Sequence, residues 1–97
     1  MTRGSLRILV VMGDYLLASK LARDIIAAGD VVVGPFADVH EAISQVGLVQ
    51  AAILDVKVKG ETSFEVADSL FRNDVPFVFL TGYDGEIIPT RFQRQHI

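Results

Sequence analysis

Cysteine is absent from this sequence, which excludes disulfide bonds and thiolate metal sites. Basic residues are not in excess: the formal net charge is -3, so we expect no binding to nucleic acid. Long apolar runs are also lacking, because no stretch reaches the roughly 18 residues that cross a membrane. Residues 1–5 are too few and too polar for a signal peptide. These absences predict a cytoplasmic protein that does not bind membranes.

Apolar residues are numerous and form short runs. They make up 51% of the 97 residues, which is enough for the core of one small domain. The runs expected to be strands are residues 6–11, 31–33, 51–55 and 77–80. A segment with helical periodicity follows each run, and this alternation predicts an α/β fold with a parallel sheet and right-handed crossovers. We expect one domain over residues 1–97, with its core at about 6–92 and a tail at 93–97.

Capping signals predict where the helices begin and end. Asp14 is expected to cap the first helix, and Gly29 to end it. Residues 38–41 have the spacing of a capping box for the second helix, and residues 62–65 have it for the third. Asp84 is expected to cap a short last helix.

Sequence patterns also predict the buried helix faces and the end of the second strand. The buried faces of the first and third helices are expected to contain Leu17, Leu21, Ile25, Phe64, Ala67, Leu70 and Phe71. Gly34 and Pro35 are expected to end the second strand.

The third apolar run ends in a carboxylate, Asp55. A short continuous apolar run is typical of a strand that is buried on both faces in a parallel sheet. Asp55 would then lie at the carboxyl end of a central strand, which is the edge where open α/β sheets bind ligands. A plain turn or cap aspartate is the alternative. Asp55 is therefore the main candidate for a functional residue.

Two functions are compatible with this predicted fold. One is a flavodoxin-like binder of a flavin or a nucleotide, and the other is a phosphoacceptor domain. A flavin phosphate needs a loop rich in glycine and hydroxyl residues after the first strand, at the start of a helix. Here the loop is Met12-Gly13-Asp14, and its carboxylate repels phosphate. The loop therefore favours the phosphoacceptor domain.

Several segments resemble the receiver domains of two-component response regulators. They are residues 8–11, 34–35, 51–55, 59–60 and 77–83. The resemblance extends from Leu6 to about Phe92. It implies a flavodoxin-like, doubly wound parallel sheet with strand order 2-1-3-4-5. It also implies that the partner is a sensor histidine kinase or a phosphotransfer protein.

The resemblance also implies roles for individual residues. Asp55 would accept a phosphoryl group, and the Thr81 hydroxyl would contact it. Mg²⁺ would be held by Asp55, by the backbone carbonyl of Lys57 and by two acidic residues at the end of the first strand. Such a site neutralises negative charge and positions the reacting groups, with little covalent work of its own.

The sequence departs from the receiver pattern at the acidic pair. These two positions are Met12 and Gly13, which have no ligand atom that suits magnesium in their side chains. Asp14 follows one position late, and two roles remain open for it: metal ligand or helix cap. We therefore expect binding of Mg²⁺ to be weak or absent.

A second departure follows Phe92. A receiver continues into a fifth strand, a lysine and a last helix, whereas this chain ends at Ile97. The chain is either a shortened form or a degenerate receiver, so we expect strand order 2-1-3-4 with the fifth strand and last helix missing. The fourth strand, residues 77–81, would then be an unpaired apolar edge that supports a homodimer.

The remaining candidates carry less weight. His40 is expected to be solvated in the first turn of the second helix. Lys57 and Lys59 are expected to be solvated loop lysines and not substitutes for the missing lysine. Tyr83 is either a switch residue or a half-buried ring at a strand end.

Two functions of different kinds therefore remain open. Asp55 and Thr81 favour a phosphorylatable receiver, which is not an enzyme beyond catalysing phosphoryl transfer to itself. Met12, Gly13 and the missing lysine favour a degenerate receiver-like interaction module without phosphorylation. A binder of a small ligand in the same crevice is a weaker third alternative.

Overall fold

The computed structural model describes residues 5–80, 88, 89, 91 and 92. Within them the strands are β1 (Arg7–Val11), β2 (Val31–Phe36), β3 (Ala51–Asp55), β4 (Lys57–Val58), β5 (Glu61–Thr62) and β6 (Phe77–Leu80). The α-helices there are α1 (Tyr15–Ala27), α2 (Val39–Ile43) and α3 (Phe64–Arg72), and a 3₁₀ turn covers Val46–Leu48. The helix expected after Asp84 lies outside the described residues. No helix in the described ranges is long and apolar enough to span a membrane.

The main sheet is parallel and has the strand order β2-β1-β3-β6 in the part of the chain that the structure describes. This confirms the predicted order 2-1-3-4, because β6 is the expected fourth strand. β4 and β5 form a separate antiparallel hairpin. The sequence pattern missed this hairpin and predicted a polar loop there.

β2 continues through Gly34 and Pro35, so the predicted end of this strand is wrong. Gly34 has a φ of 111°, and a Cβ atom there would lie 2.8 Å from the carbonyl oxygen of Val10 and 2.8 Å from the amide nitrogen of Phe36. Glycine therefore lets β2 pass close to β1, although the register between the two strands shifts by one residue here. Beyond this point, the Met12 amide donates a hydrogen bond to the Phe36 carbonyl at 2.9 Å.

α1 begins and ends where its capping signals predict. The Asp14 carboxylate accepts a hydrogen bond from the Leu17 amide at 3.0 Å. Gly29 follows the helix with a φ of 93°, a conformation that suits glycine. Ala18 and Ile25 are buried as part of the inner face. Leu17 is 44% exposed, so its predicted burial is wrong.

α3 begins one residue later than the predicted capping box, because Ser63 and not Thr62 is its N-cap residue. Its buried face contains Val66, Ala67, Ser69 and Leu70. Phe71 is 67% exposed, which contradicts the prediction. The reason is helical geometry: at 100° per residue, Phe71 lies about 120° from the middle of a face that is centred between Val66 and Leu70.

The core consists of two clusters on opposite faces of the sheet. The larger one contains Leu9, Leu54, Phe77 and Phe79 and lies on the side of α2 and α3, whereas Val10 packs with α1 on the other side. This confirms that the two β6 phenylalanines share one face. β3 is fully buried on only one face, because Ala51, Ile53 and Asp55 are half-buried. The prediction of burial on both faces is therefore wrong for this strand.

Candidate functional site

Asp55 is the last residue of β3 and lies at the carboxyl edge of the parallel sheet. It is half-buried and is in register with Leu80, the last residue of β6. Its neighbour Leu54 pairs with Val11, the last residue of β1. Three strands therefore end together around Asp55, as the sequence predicted. Thr81 follows Leu80 in the sequence, but it lies outside the described residues, and so does Tyr83.

The hairpin directly after Asp55 projects two lysines. Lys57 pairs with Thr62, and the turn between the strands consists of Lys59 and Gly60, with φ values of 51° and 84°. Two positive φ values in a two-residue turn match the twist of a hairpin. Val58 is 1% exposed and anchors the hairpin in the core. Lys57 and Lys59 have exposed positions, as predicted.

The hairpin also approaches the loop after β1. A Cβ atom on Gly13 would lie 3.8 Å from the Lys59 amide nitrogen and 3.9 Å from Cγ1 of Val58. These distances are ordinary van der Waals contacts, so the hairpin lies directly beside Gly13. Backbone and an aliphatic side chain therefore lie beside Gly13, the second of the two positions of an acidic pair.

The residues at this edge do not fit a strong magnesium site. Met12 is 2% exposed and packs against α1 in an apolar cluster, and Gly13 has no side chain. The Asp14 carboxylate is engaged as the cap of α1. Among the residues that the structure describes, no group of three or more His, Cys, Asp or Glu side chains is close enough to hold a metal ion. Capping is thus the observed role of Asp14, and metal binding stays a prediction for it.

Ser63 is a residue of this site that the sequence analysis missed. Its side chain is fully buried, and its hydroxyl donates a hydrogen bond to the backbone carbonyl of Asp55 at 2.5 Å. Its amide donates to the Val56 carbonyl at 2.9 Å. A serine at a helix start is ordinarily assigned as a cap, so no local signal could have identified this contact.

His40 takes no part in the arrangement at this edge. It lies in α2 and is exposed, which confirms its predicted solvation. The candidate site within the described residues therefore consists of Asp55, the hairpin that follows it, the Met12-Gly13 loop and the buried Ser63 hydroxyl.

Comparisons with known proteins place this geometry in context. No protein-family model matches the chain, and no curated protein does either. Solved structures do match. SdrG from Sphingomonas melonis Fr1 is 34% identical, with a TM-score of 0.84, over 95% of this chain and 80% of that one. The BeF3-activated conformation of SdrG, from Pseudomonas melonis Fr1, is also 34% identical, with a TM-score of 0.76, over 97% and 83% of the two chains.

More distant structures share the fold. The non-phosphorylated HemR receiver domain from Leptospira biflexa is 23% identical, with a TM-score of 0.78, over 94% of this chain and 76% of that one. The complex of histidine kinase ThkA with response regulator TrrA contains a chain that is 21% identical, with a TM-score of 0.75, over 95% and 84% of the chains. At these identities the likeness concerns the fold alone.

Proposed function

Because this chain belongs to the receiver domains of response regulators and acts in two-component signalling, we propose that Asp55 accepts a phosphoryl group from a histidine kinase or a phosphotransfer protein. The observation that carries the proposal is the place of Asp55: it is half-buried at the carboxyl end of β3, with the ends of β1 and β6 beside it. In open α/β sheets, this carboxyl edge is where ligands bind.

The proposed reaction is a direct transfer. A carboxylate oxygen of Asp55 attacks phosphorus and forms an O–P bond while the N–P bond of the donor phosphohistidine breaks. The imidazole keeps the electron pair of that bond and takes up a proton. The protein mainly holds the nucleophile in line and offsets negative charge. Thr81 would contact the phosphoryl group, a role that rests on the family resemblance.

Magnesium is proposed to bind weakly at this site. One carboxylate, that of Asp55, and one backbone carbonyl, that of Lys57, leave most of the octahedral coordination to water. Met12 and Gly13 add no ligand, and Asp14 already caps α1. Transfer to Asp55 is therefore expected to be slow, because the ion ordinarily supplies much of the electrostatic stabilisation.

The apolar loop residues Met12 and Gly13 favour a second candidate function. In a degenerate receiver, Asp55 is not phosphorylated and the domain acts only by contacting other proteins. The burial of Met12 at the place of an acidic pair supports this alternative. The two candidates differ in one measurable property, which is the covalent modification of Asp55.

The test is labelling by small donors that need no partner protein. Acetyl phosphate and phosphoramidate, which has the N–P bond of phosphohistidine, are mixed with the protein and magnesium, and intact mass is followed. We expect slow addition of one phosphoryl group to the wild type and none to Asp55→Asn. Asp74→Asn is the control, because Asp74 is exposed at the opposite end of the sheet, before β6.

Two outcomes would contradict the proposal. An unmodified wild type at saturating donor would establish the degenerate alternative. Labelling that persists in Asp55→Asn would place the phosphoacceptor elsewhere.

Self-association is proposed as a second property of the domain. β6 is an end strand of the main sheet within the described ranges, and it carries no charged residue. Val78 and Leu80 are half-buried on the face that α1 covers only in part. An apolar end strand of this kind can pair with another chain. We propose that this other chain is a second copy of the protein.

A further inference from the structure

Ser63 forms hydrogen bonds that are unusual for a residue at the start of a helix. It is the N-cap residue of α3, yet its side chain accepts no capping hydrogen bond from the helix. Instead the hydroxyl donates to the Asp55 carbonyl at 2.5 Å, with the Val56 carbonyl at 3.4 Å. The shorter distance is at the low end of the range for O–H···O bonds. The hydroxyl is thus used to hold the phosphoacceptor strand rather than the helix.

The same residue closes the base of the hairpin. The Ser63 amide donates to the Val56 carbonyl at 2.9 Å, so its two donors reach two consecutive carbonyls. Val56 is 1% exposed, and Ser63 is fully buried. The peptide groups on both sides of Val56 are therefore restrained at the point where β3 ends and the hairpin begins.

This restraint acts on the orientation of the Asp55 side chain. Once the backbone of Asp55 is held, the direction of its carboxylate depends only on χ1 and χ2. Phosphoryl transfer needs the nucleophile in line with the bond that breaks, and small misplacements slow such reactions strongly. A site with weak magnesium binding depends more than usual on this positioning.

We propose that Ser63 is a positioning residue, which orients the phosphoacceptor by donating a hydrogen bond to the main-chain carbonyl of Asp55. This role rests on the proposed function, because it concerns the same transfer to Asp55. Ser63 does not touch the phosphoryl group. It acts through the Asp55 backbone and joins the end of β3 to the start of α3.

The test compares Ser63→Ala with Ser69→Ala. Ser69 is the control because it is a buried serine of the same helix, 8% exposed, and lies six positions further along the chain. Labelling of Asp55 by acetyl phosphate is measured at increasing donor concentration with constant magnesium. We expect Ser63→Ala to lower the maximal rate by about tenfold, with little change in the half-saturating concentration. Ser69→Ala should label like the wild type.

A spectroscopic readout separates positioning from general damage to the fold. The carbon-13 chemical shift of the Asp55 carbonyl reports the hydrogen bond directly and does not require phosphorylation. We expect it to move in Ser63→Ala and to stay in place in Ser69→Ala. If Ser63→Ala does not fold, Ser63→Thr is the deciding variant, because threonine keeps a hydroxyl. A wild-type Asp55 carbonyl shift together with a wild-type labelling rate would support the positioning role.

The contrary outcomes are distinct. Wild-type labelling kinetics in a folded Ser63→Ala protein would overturn the positioning role alone. A threonine variant that keeps the carbonyl shift but loses the rate would also overturn it. An unlabelled wild type would overturn the proposed function, and the positioning role with it.

Discussion

At the scale of single residues, the Asp14 carboxylate has two roles to choose between, helix cap and metal ligand. It stands one position after the loop residues Met12 and Gly13, and its side chain accepts a hydrogen bond from the Leu17 amide at 3.0 Å. A cap of this kind satisfies one of the free amides in the first turn. Turning the carboxylate towards a metal ion would break this bond, which weakens the case for metal binding.

Replacing Asp14 tests both roles at once. Asp14→Ala should lower the free energy of unfolding by about 1 kcal/mol through loss of the cap, and Asp14→Asn should lower it much less, because asparagine caps well. Denaturant unfolding measures this difference. Magnesium titration, followed by NMR, should give a dissociation constant of about 1 mM or weaker for the wild type.

Asp14→Asn is also the control for the metal, because it keeps the cap and removes the charge. We expect it to leave the weak magnesium binding unchanged. Saturable binding below millimolar magnesium in the wild type, lost in Asp14→Asn, would make Asp14 a ligand and contradict the weak site.

At the scale of elements, an aromatic cluster joins α3, β6 and the short segment of Arg91 and Phe92. The rings of Phe64, Phe77, Phe79 and Phe92 have centroid distances of 5.6 to 6.1 Å. Phe92 and Phe79 are almost completely buried, at 2% and 0% exposure. Offset and edge-to-face aromatic contacts add to the apolar burial. The cluster therefore fastens the later segment to the sheet.

Phe92→Ala should be among the costly substitutions in the chain. It removes a buried ring from this cluster, and we expect a loss of about 3–5 kcal/mol in the free energy of unfolding. Phe71→Ala is the matched control: Phe71 is 67% exposed, so the loss should stay below about 1 kcal/mol. Thermal and denaturant unfolding of both variants checks the contrast. Equal losses would mean that Phe92 does not belong to the core.

An ion pair in the same segment contributes much less. The Arg91 guanidinium contacts the Asp68 carboxylate at 3.1 and 3.2 Å and lies 4.5 Å from the centre of the Phe92 ring. Both side chains are partly exposed, at 56% and 38%. Solvent screening leaves such a pair worth about 0–1 kcal/mol. Burial of Phe92, rather than this pair, holds the segment in place.

At the scale of the whole molecule, the two ends of the main sheet differ. β2 forms one end in the described part of the chain and begins with Val31, which is 42% exposed. β6 forms the other end and consists of four apolar residues. Neither end strand carries a charge, but β2 contains Gly34 and Pro35, which make it the poorer template for pairing with another chain. The proposed self-association therefore involves β6.

Val78→Lys and Val31→Lys form a matched pair for testing this proposal. Each places one charge on an end strand of the sheet. Sedimentation at micromolar concentration should show that the wild type and Val31→Lys associate, whereas Val78→Lys shifts towards monomer. Labelling of Asp55 serves as a check that Val78→Lys keeps its site. A monomeric wild type would contradict the proposal, as would equal effects of the two substitutions.

The sequence by itself determined the features that depend on local interactions. Alternating apolar runs and helical periodicity gave the α/β class, and the residues 8–11, 51–55 and 77–80 were correctly assigned to strands. The Asp14 cap was predictable because its partner, the Leu17 amide, is three residues away. Asp55 was predicted at the sheet edge for the same reason, because the end of an apolar run marks the end of a strand within the local sequence.

Tertiary structure decided the features that depend on distant partners. Whether β2 could pass through Gly34 depended on the position of the Val10 carbonyl in another strand. Which aromatic ring of α3 packs on the sheet depended on how the helix lies there, so Phe71 is exposed while Phe64 contacts Phe79. The hydroxyl of Ser63 can either accept a hydrogen bond as a helix cap or donate one to a strand carbonyl. Only the fold, which brings the end of β3 to the start of α3, selected the Asp55 carbonyl.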